Sequence, residues 1–153
     1  MAAKPSGPRT LVNTIKLLVN AGAAKPAPPV GPALGQAGLN IMAFCKEFNA
    51  KTANYKEGTL LRVKVRVFSD KSYEWDLKTP PSTWLIKKAA GLARAADRPG
   101  HELSGTVSLK HLYEIARVKQ RDTPNLPLQS IVTALLSTCR SMGVRVVARP
   151  EEA

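Results

Sequence analysis

The stretch Lys78-Thr79-Pro80-Pro81-Ser82 separates two halves of the chain that have different sequence patterns. Consecutive prolines interrupt strands and helices, because each fixes φ at about −65° and lacks a backbone donor. The pattern before them mixes strand and helix, and the pattern after them is helical. For a chain of 153 residues this predicts an α+β fold with two small domains. We place the domains at residues 9–78 and 83–149, joined by a hinge at residues 79–82 that contains Thr79, Pro80 and Pro81.

Upstream of the hinge, Leu61–Val67 alternates strictly between apolar and basic residues, as a half-buried strand does. The chain then turns at residues 69–72 and returns through Tyr73–Leu77, which predicts an antiparallel hairpin. A further strand is predicted at Thr10–Val19. The outer face of the hairpin carries three basic residues, and the pattern leaves open whether they are merely solvated or bind a partner: Arg62, Lys64 and Arg66.

A helix is predicted between these strands. Asn40 is a suitable N-cap, and the helix is expected to run to about Ala53. Apolar residues with helical spacing are expected to face the core, namely Ile41, Phe44, Cys45 and Phe48. The N-terminal domain is therefore predicted to be an α/β domain with a short antiparallel sheet.

Three helices are predicted downstream of the hinge. The first covers residues 81–95, with a proline at its first position. The second, at residues 109–121, is capped by Ser108, and the third, at residues 128–142, ends before Gly143. The second helix is expected to face inward with Leu109, Leu112, Ile115 and Ala116.

A short strand at Val144–Val147 is expected to pair with Thr106–Val107. Three helices of this length with short connections predict a compact C-terminal bundle that resembles a helix-turn-helix domain.

The composition indicates a polyanionic partner. The net charge is +12, with 23 basic and 11 acidic residues, so nucleic acid or an anionic surface is attracted. The longest apolar runs are far shorter than the roughly 20 residues of a membrane-spanning helix, so no membrane partner is expected. Cys45 and Cys139 lie in apolar helical patterns and are expected to be buried thiols. Without a Cys-x-x-Cys pair or a Cys/His cluster, neither a metal nor another cofactor is expected.

The segment Gly22–Gly38 contains four prolines and four glycines and has one charged residue, Lys25. Such a segment is stiff and unsuited to sheet pairing, so it is either a linker or a surface presented to a partner. Val30 and Leu34 are interleaved with the prolines, and an amphipathic helix follows at once. Because these apolar residues anchor the segment to the fold, the interpretation as a surface presented to a partner is favoured over that of a linker.

The C-terminal half has the pattern of an RNA-binding surface. Within residues 107–121 only Glu114 opposes four basic residues. At residues 138–143, small hydroxyl side chains permit close approach to a sugar–phosphate backbone, and Arg140 supplies a forked donor. Folded RNA suits such a surface better than duplex DNA does. Two alternatives remain open, an ordinary helix terminus and a helix-turn-helix-like DNA-binding regulator.

An enzymatic function is not expected. Asp70, Glu74 and Asp76 surround the predicted turn and are expected on alternating faces, which would not form a converging pair. His101 lies in a polar loop and His111 on the outer face of a helix. The glycines at positions 31 and 35 lack the Lys-Ser/Thr of a phosphate-binding loop.

Seven ordered segments resemble the family of the eleventh protein of the large ribosomal subunit, and the resemblance covers roughly residues 10–148. These segments are Lys25–Gln36, Asn40–Met42, Phe44–Asn49, Lys78–Pro81, Lys87–Gly91, Glu114–Ala116 and Arg140–Gly143.

The resemblance implies binding to the GTPase-associated centre of large-subunit rRNA, at the stalk base, mainly by the C-terminal domain. It implies that the N-terminal domain swings on the hinge and meets translational GTPases such as elongation factor G, with the stalk proteins as further partners. Pro26, Pro28 and Pro29 would face the same RNA and help to form the thiopeptide antibiotic site. One departure is Ser137, where bacterial members commonly have glycine. The implied RNA contacts are Lys87, Lys88, Gly91, Lys119, Thr138, Arg140, Ser141 and Gly143.

Two further observations concern the compartment. The first 46 residues contain five basic residues and no acidic residue, as in mitochondrial import segments. The sequences of residues 48–55 and 110–117 are similar to those of mitochondrial members of the family. A mitochondrial ribosome is therefore predicted, with a bacterial or plastid ribosome as the alternative.

Overall fold

The computed structural model describes residues 9–149 of the protein. The chain divides into two compact units, with the boundary between Lys78 and Thr79. An antiparallel sheet with helices in the first unit and a largely helical second unit confirm the predicted α+β class.

Unit 1 contains a three-stranded antiparallel sheet in the order β1-β2-β3. One face of the sheet packs on the helices through Phe44 and Phe48, which are fully buried, and the ring of Trp75 lies 5.8 Å from that of Phe44. The opposite face has no helix packed on it within the described residues of this unit. Its elements are β1 (Leu11–Asn20), α1 (Val30–Gln36), α2 (Ile41–Thr52), β2 (Leu60–Phe68) and β3 (Tyr73–Lys78).

The predicted strands and the predicted helix of unit 1 are confirmed. Asn40 caps α2, because its side-chain oxygen accepts a hydrogen bond of 3.2 Å from the backbone nitrogen of Ala43. Helix α1 was not predicted, since its proline and two glycines have low helix propensity. It forms because Val30 and Leu34, one turn apart, are both buried in the core.

Unit 2 contains three helices and a two-stranded parallel ladder. The ladder places Gly105 opposite Val144, which confirms the predicted pairing of the C-terminal strand. Ile86, Val107 and Leu112 are among the fully buried core side chains. Its elements are α3 (Ser82–Ala89), β4 (Gly105–Ser108), α4 (Leu109–Gln120), α5 (Leu128–Ser141) and β5 (Val144–Val147).

Two details of the helix predictions for unit 2 are wrong. Helix α3 begins at Ser82, after Pro81 as N-cap, and ends at Ala89 and not near residue 95. It stops because Gly91 has φ +67° and the backbone nitrogen of Leu92 donates to the carbonyl of Lys87. Leu109 is 42% exposed and does not face inward, since it is the first residue of its helix.

The predicted N-cap of α4, the glycine after α5 and the burial of both thiols are confirmed. Ser108 caps α4 by accepting a hydrogen bond from the backbone nitrogen of His111, and Gly143 follows α5 at φ +69°.

Cys45 and Cys139 are both buried free thiols, and burial raises the pKa of each. Within residues 9–149, the helices are too short or too polar to cross a membrane.

Candidate RNA interface

The loop that follows α3 is packed directly on the C-terminal end of α5. The backbone nitrogen of Ala96 donates to the carbonyl of Met142, and that of Ser104 donates to the carbonyl of Gly143, at 3.1 and 2.9 Å. A Cβ on Gly143 would lie 2.6 Å from the Cβ of Ala96 and 2.8 Å from the carbonyl oxygen of Glu102. Glycine is thus required at this position both for its positive φ and for the close approach of the loop.

Loop and helix together enclose a depression of about 410 Å³ on the surface of unit 2. Arg140 is exposed at this depression, so its guanidinium is available to a partner. The apolar floor allows a sugar or base to pack, while the arginine supplies forked donors to phosphate or a base edge. The lining residues are Gly100, Leu103, Leu136, Ser137, Arg140, Gly143, Val144 and Val146.

The hydroxyl groups of α5 near the depression donate their protons to helix carbonyls. Thr138 donates to Ala134 at 3.0 Å, and Ser141 donates to Thr138 at 2.8 Å. Ser137 donates to the carbonyl of Thr133 at 3.3 Å. The oxygens therefore remain as acceptors, which suits the 2′-hydroxyl donors of RNA and does not suit anionic phosphate oxygens.

Lys87, Lys88 and Gly91 form a second group at the C-terminal end of α3. Lys88 is exposed, and its ammonium lies 5.7 Å from the centroid of the Trp84 ring. Lys87 is half-buried and Gly91 is exposed. Lysines in the last turn also stabilise the helix dipole, so these side chains have a structural role besides any contact with RNA.

Lys119 differs from the other predicted contact residues, because it is only 8% exposed. Its ammonium lies 3.9 Å from a carboxylate oxygen of Asp122. The same carboxylate accepts hydrogen bonds from the backbone nitrogen and the hydroxyl of Thr79, the latter at 2.6 Å. Thr79, the first residue of the predicted hinge, is thus fastened to the end of α4 within unit 2.

The proline segment is fixed to α2 by side chains that the sequence analysis missed. Asn49 accepts a hydrogen bond from the backbone nitrogen of Ala24 at 2.9 Å and donates to its carbonyl at 3.2 Å. The hydroxyl of Thr52 accepts from the backbone nitrogen of Gly22. Held in this way, the segment leaves all four of its prolines exposed, among them Pro26, Pro28 and Pro29.

The structure brings only some of the predicted residues together. Arg140 and Gly143 line one depression, Thr138 and Ser141 lie on the same helix end, and Lys119 is directed at Asp122. The contribution of the loop at residues 97–104 was not predicted. The sequence signal for it is Leu103, an apolar residue in an otherwise polar loop, and the structure leaves this side chain 71% exposed.

The carboxylates considered for catalysis are arranged differently from the prediction. Glu74 and Asp76 lie on the same face of β3, two residues apart, and both contact the guanidinium of Arg66 at 3.7 and 3.1 Å. The expectation of alternating faces for this pair is therefore wrong. Both carboxylates are exposed and contact the same arginine. They lack the burial by which active sites shift the pKa of a catalytic carboxyl. Within the described residues, no cluster of three or more His, Cys, Asp or Glu side chains is arranged to hold a metal ion.

Comparison with known proteins gives matches over both units. The family model described as "Ribosomal protein L11, N-terminal domain" matches residues 15–73, and "Ribosomal protein L11, RNA binding domain" matches residues 78–146. Large ribosomal subunit protein uL11m of Drosophila melanogaster is 46% identical over 140 residues, covering 90% of this chain and 71% of the relative. Two bacterial uL11 proteins, from Roseobacter denitrificans and Ruegeria pomeroyi, are 46% and 44% identical over 138 residues, covering 90% of this chain and 98% of each relative.

Proposed function

This chain belongs to the ribosomal protein L11 family, and we propose on that basis that unit 2 binds the GTPase-associated centre of large-subunit rRNA at the stalk base. Membership makes the protein a structural constituent of the large ribosomal subunit that binds rRNA, and not an enzyme. The proposal goes further in naming the region of the rRNA and the residues that contact it.

The depression at the end of α5 is the observation that carries this proposal. It combines the exposed guanidinium of Arg140, hydroxyl oxygens that are free to accept while their protons are donated to helix carbonyls, and a glycine-dependent close approach of two backbone segments. Arg140 would bind phosphate or a base edge, while Thr138 and Ser141 would accept from ribose 2′-hydroxyls. Gly143 acts by shaping the site.

The group at the end of α3 is proposed as a second contact. Lys88 is exposed and Lys87 half-buried, so both can reach phosphate oxygens, and Gly91 permits approach of the backbone. For Lys119 we propose an indirect role. Because its side chain is buried beside Asp122, it supports the carboxylate that holds Thr79 and does not itself reach RNA.

Unit 1 is proposed to act on the partners of the stalk base. The exposed prolines at positions 26, 28 and 29 follow a stretch whose backbone is fixed at Gly22 by Thr52 and at Ala24 by Asn49, which supports a role in presenting shape to RNA, thiopeptides and translational GTPases such as elongation factor G. Stalk proteins are proposed as neighbours, and Thr79, Pro80 and Pro81 as the hinge. We propose a mitochondrial ribosome as the location, as the name of the Drosophila relative indicates for that protein.

The RNA site is tested by one arginine substitution with a matched control in the full chain. Arg140→Ala should weaken binding to the stalk-base rRNA fragment by about 1–3 kcal/mol, because a forked contact is lost. Arg145 is the control, since it is exposed and alternates on β5 with the lining residues Val144 and Val146. Arg145→Ala should mainly lower the salt dependence of binding.

Binding is measured by titration at several salt concentrations, with duplex DNA of equal length as the competitor. Equal small losses from the two variants would leave only diffuse attraction and contradict the proposed site. Equal affinity for duplex DNA and the rRNA fragment would contradict recognition of RNA by shape and 2′-hydroxyls.

A further inference from the structure

The sheet face of unit 1 that points away from α1 and α2 has an unusual charge pattern. We call it the open face. It consists of three cross-strand rows, in which each residue lies directly opposite the next: Leu18, Arg62 and Lys78; Lys16, Lys64 and Asp76; Thr14, Arg66 and Glu74.

The two acidic residues of the open face do not neutralise most of its cations. Both Glu74 and Asp76 contact the guanidinium of Arg66. The other four basic side chains have no carboxylate of the described residues within 4.0 Å. These are Lys16 and Arg62, which are exposed, and Lys64 and Lys78, which are half-buried.

Like charges face each other in two of the three rows. Lys16 lies directly opposite Lys64, and Arg62 lies directly opposite Lys78. Side chains in such positions are about 5 Å apart at Cβ, and like charges there destabilise a sheet. The cations therefore repel each other in the free chain, and an anionic partner bound between them would relieve this repulsion.

The outward residues also indicate the chemical class of the partner. None of the outward side chains in these three rows is aromatic. Phe68, two residues beyond Arg66 on the same side of β2, is half-buried at the end of the strand, so the open face offers no series of rings on which successive bases could stack. Leu18 is 47% exposed and lies in the same row as Arg62 and Lys78, so an apolar side chain of the partner could pack on it. Outward residues of one strand are about 6.8 Å apart, which matches alternate side chains of an extended polypeptide.

We propose that the open face binds an acidic protein segment. Its carboxylates contact Lys16, Arg62, Lys64 and Lys78, and an apolar residue among them packs on Leu18. The inference goes beyond the proposed function, because it concerns the cations of the open face, none of which belongs to the proline segment or to the RNA site of unit 2. Leu18, at the edge of this face, also lines a pocket with Pro28 and Pro29.

The test compares two double variants that remove the same charge from the full chain. Lys16→Gln with Lys64→Gln changes the open face, and Lys46→Gln with Lys56→Gln changes two exposed lysines of unit 1 outside it. The probes are a labelled peptide of glutamates around one central leucine and a labelled oligouridylate of equal charge. The open-face variant should bind the peptide about tenfold more weakly than the control variant does.

The remaining measurements make each outcome decisive. The two variants should bind oligouridylate equally, and the open-face variant should unfold at a temperature no lower than the control, since it loses a repulsion. Equal loss of peptide binding in both variants would overturn the proposal, as would a larger loss for oligouridylate than for peptide. Affinity for the stalk-base rRNA fragment should change equally in both variants, which separates this proposal from the proposed function.

Discussion

The two units carry similar numbers of charges but arrange them differently. Residues 1–78 contain 12 basic and 5 acidic residues, and residues 79–153 contain 11 and 6. Unit 1 places cations in rows on a flat sheet face, whereas unit 2 places Arg140 beside a depression with acceptor hydroxyls. The number of charges therefore does not distinguish diffuse attraction from recognition of RNA. The geometry around each cation makes this distinction.

The cores differ as well. In unit 1 the stacked rings of Phe44 and Phe48 lie between helix and sheet, whereas the buried core side chains described for unit 2 are aliphatic or sulfur-containing. Each core also holds one buried cysteine, Cys45 in unit 1 and Cys139 in unit 2. Substitutions that affect one core are therefore expected to leave the other intact, and the thiols allow this to be measured.

The largest expected effect is the loss of an aromatic ring from unit 1. Phe48→Ala should destabilise this unit by about 3–5 kcal/mol, because a fully buried ring is replaced by a cavity. Denaturant unfolding, followed by the reactivity of Cys45, measures the change. Affinity for the stalk-base rRNA fragment and the reactivity of Cys139 should stay unchanged. A parallel rise in the reactivity of Cys139 would show that the units do not fold independently.

The next effect concerns the close approach in unit 2. Gly143→Ala should destabilise this unit by about 2–4 kcal/mol and weaken RNA binding, because the new Cβ would meet Ala96 and Glu102. Gly91→Ala is the matched control. It is a control for stability: its φ is +67°, close to the +69° of Gly143, but nothing lies within 4 Å of the added Cβ, so only the backbone strain of about 1–2 kcal/mol applies. Equal destabilisation would mean that packing of the loop on α5 is unimportant.

A smaller effect is expected from releasing the proline segment. Asn49→Ala removes the partner of both backbone groups of Ala24 and should cost about 1–3 kcal/mol of stability in unit 1. Ribosomes carrying this variant should show slower factor-stimulated GTP hydrolysis at normal occupancy. Asn54→Ala, at an exposed position, should change neither quantity. Lost occupancy with a normal rate per occupied ribosome would show that the segment serves assembly.

The smallest effect is a pH dependence shared by both units. Burial raises the pKa of the Cys45 and Cys139 thiols above that of an unfolded thiol, about 8.5. The folded state therefore holds these protons longer, and stability should fall as pH rises above about 8.5. Replacing each cysteine by Ser in turn identifies the contribution of its unit. A rise of stability with pH in this range would contradict burial of the thiols.

Periodic patterns predicted most of the fold. The alternation at residues 61–67 and the caps Asn40 and Ser108 gave strands and helices with ends within two residues of the structure. Helix α1 was missed because burial of Val30 and Leu34 is a tertiary effect that outweighs local propensity. The end of α3 was misplaced because the apolar spacing continues to Leu92, whereas Gly91 at φ +67° ends the helix through a local bond from Leu92 to Lys87.

The candidate site was less accessible to sequence reasoning. Arg140 and Gly143 were identified from their own segment, but the loop that completes the depression comes from about forty residues earlier in the chain. Burial of Lys119 also follows from a contact with Asp122 that residue type alone does not reveal. The resemblance predicted which residues contact RNA, while the roles proposed for them depended on the contacts in the structure.

The parallel pairing of β4 with β5 has a consequence for synthesis of the chain. Strands of unit 1 are complete once Lys78 has been made, whereas β4 must wait for Val144–Val147 before it has a partner. Domains fold as units during translation, with the N-terminal one first. We therefore expect a stalled nascent chain ending before residue 144 to expose a folded first unit and a second unit that is open to proteases and chaperones.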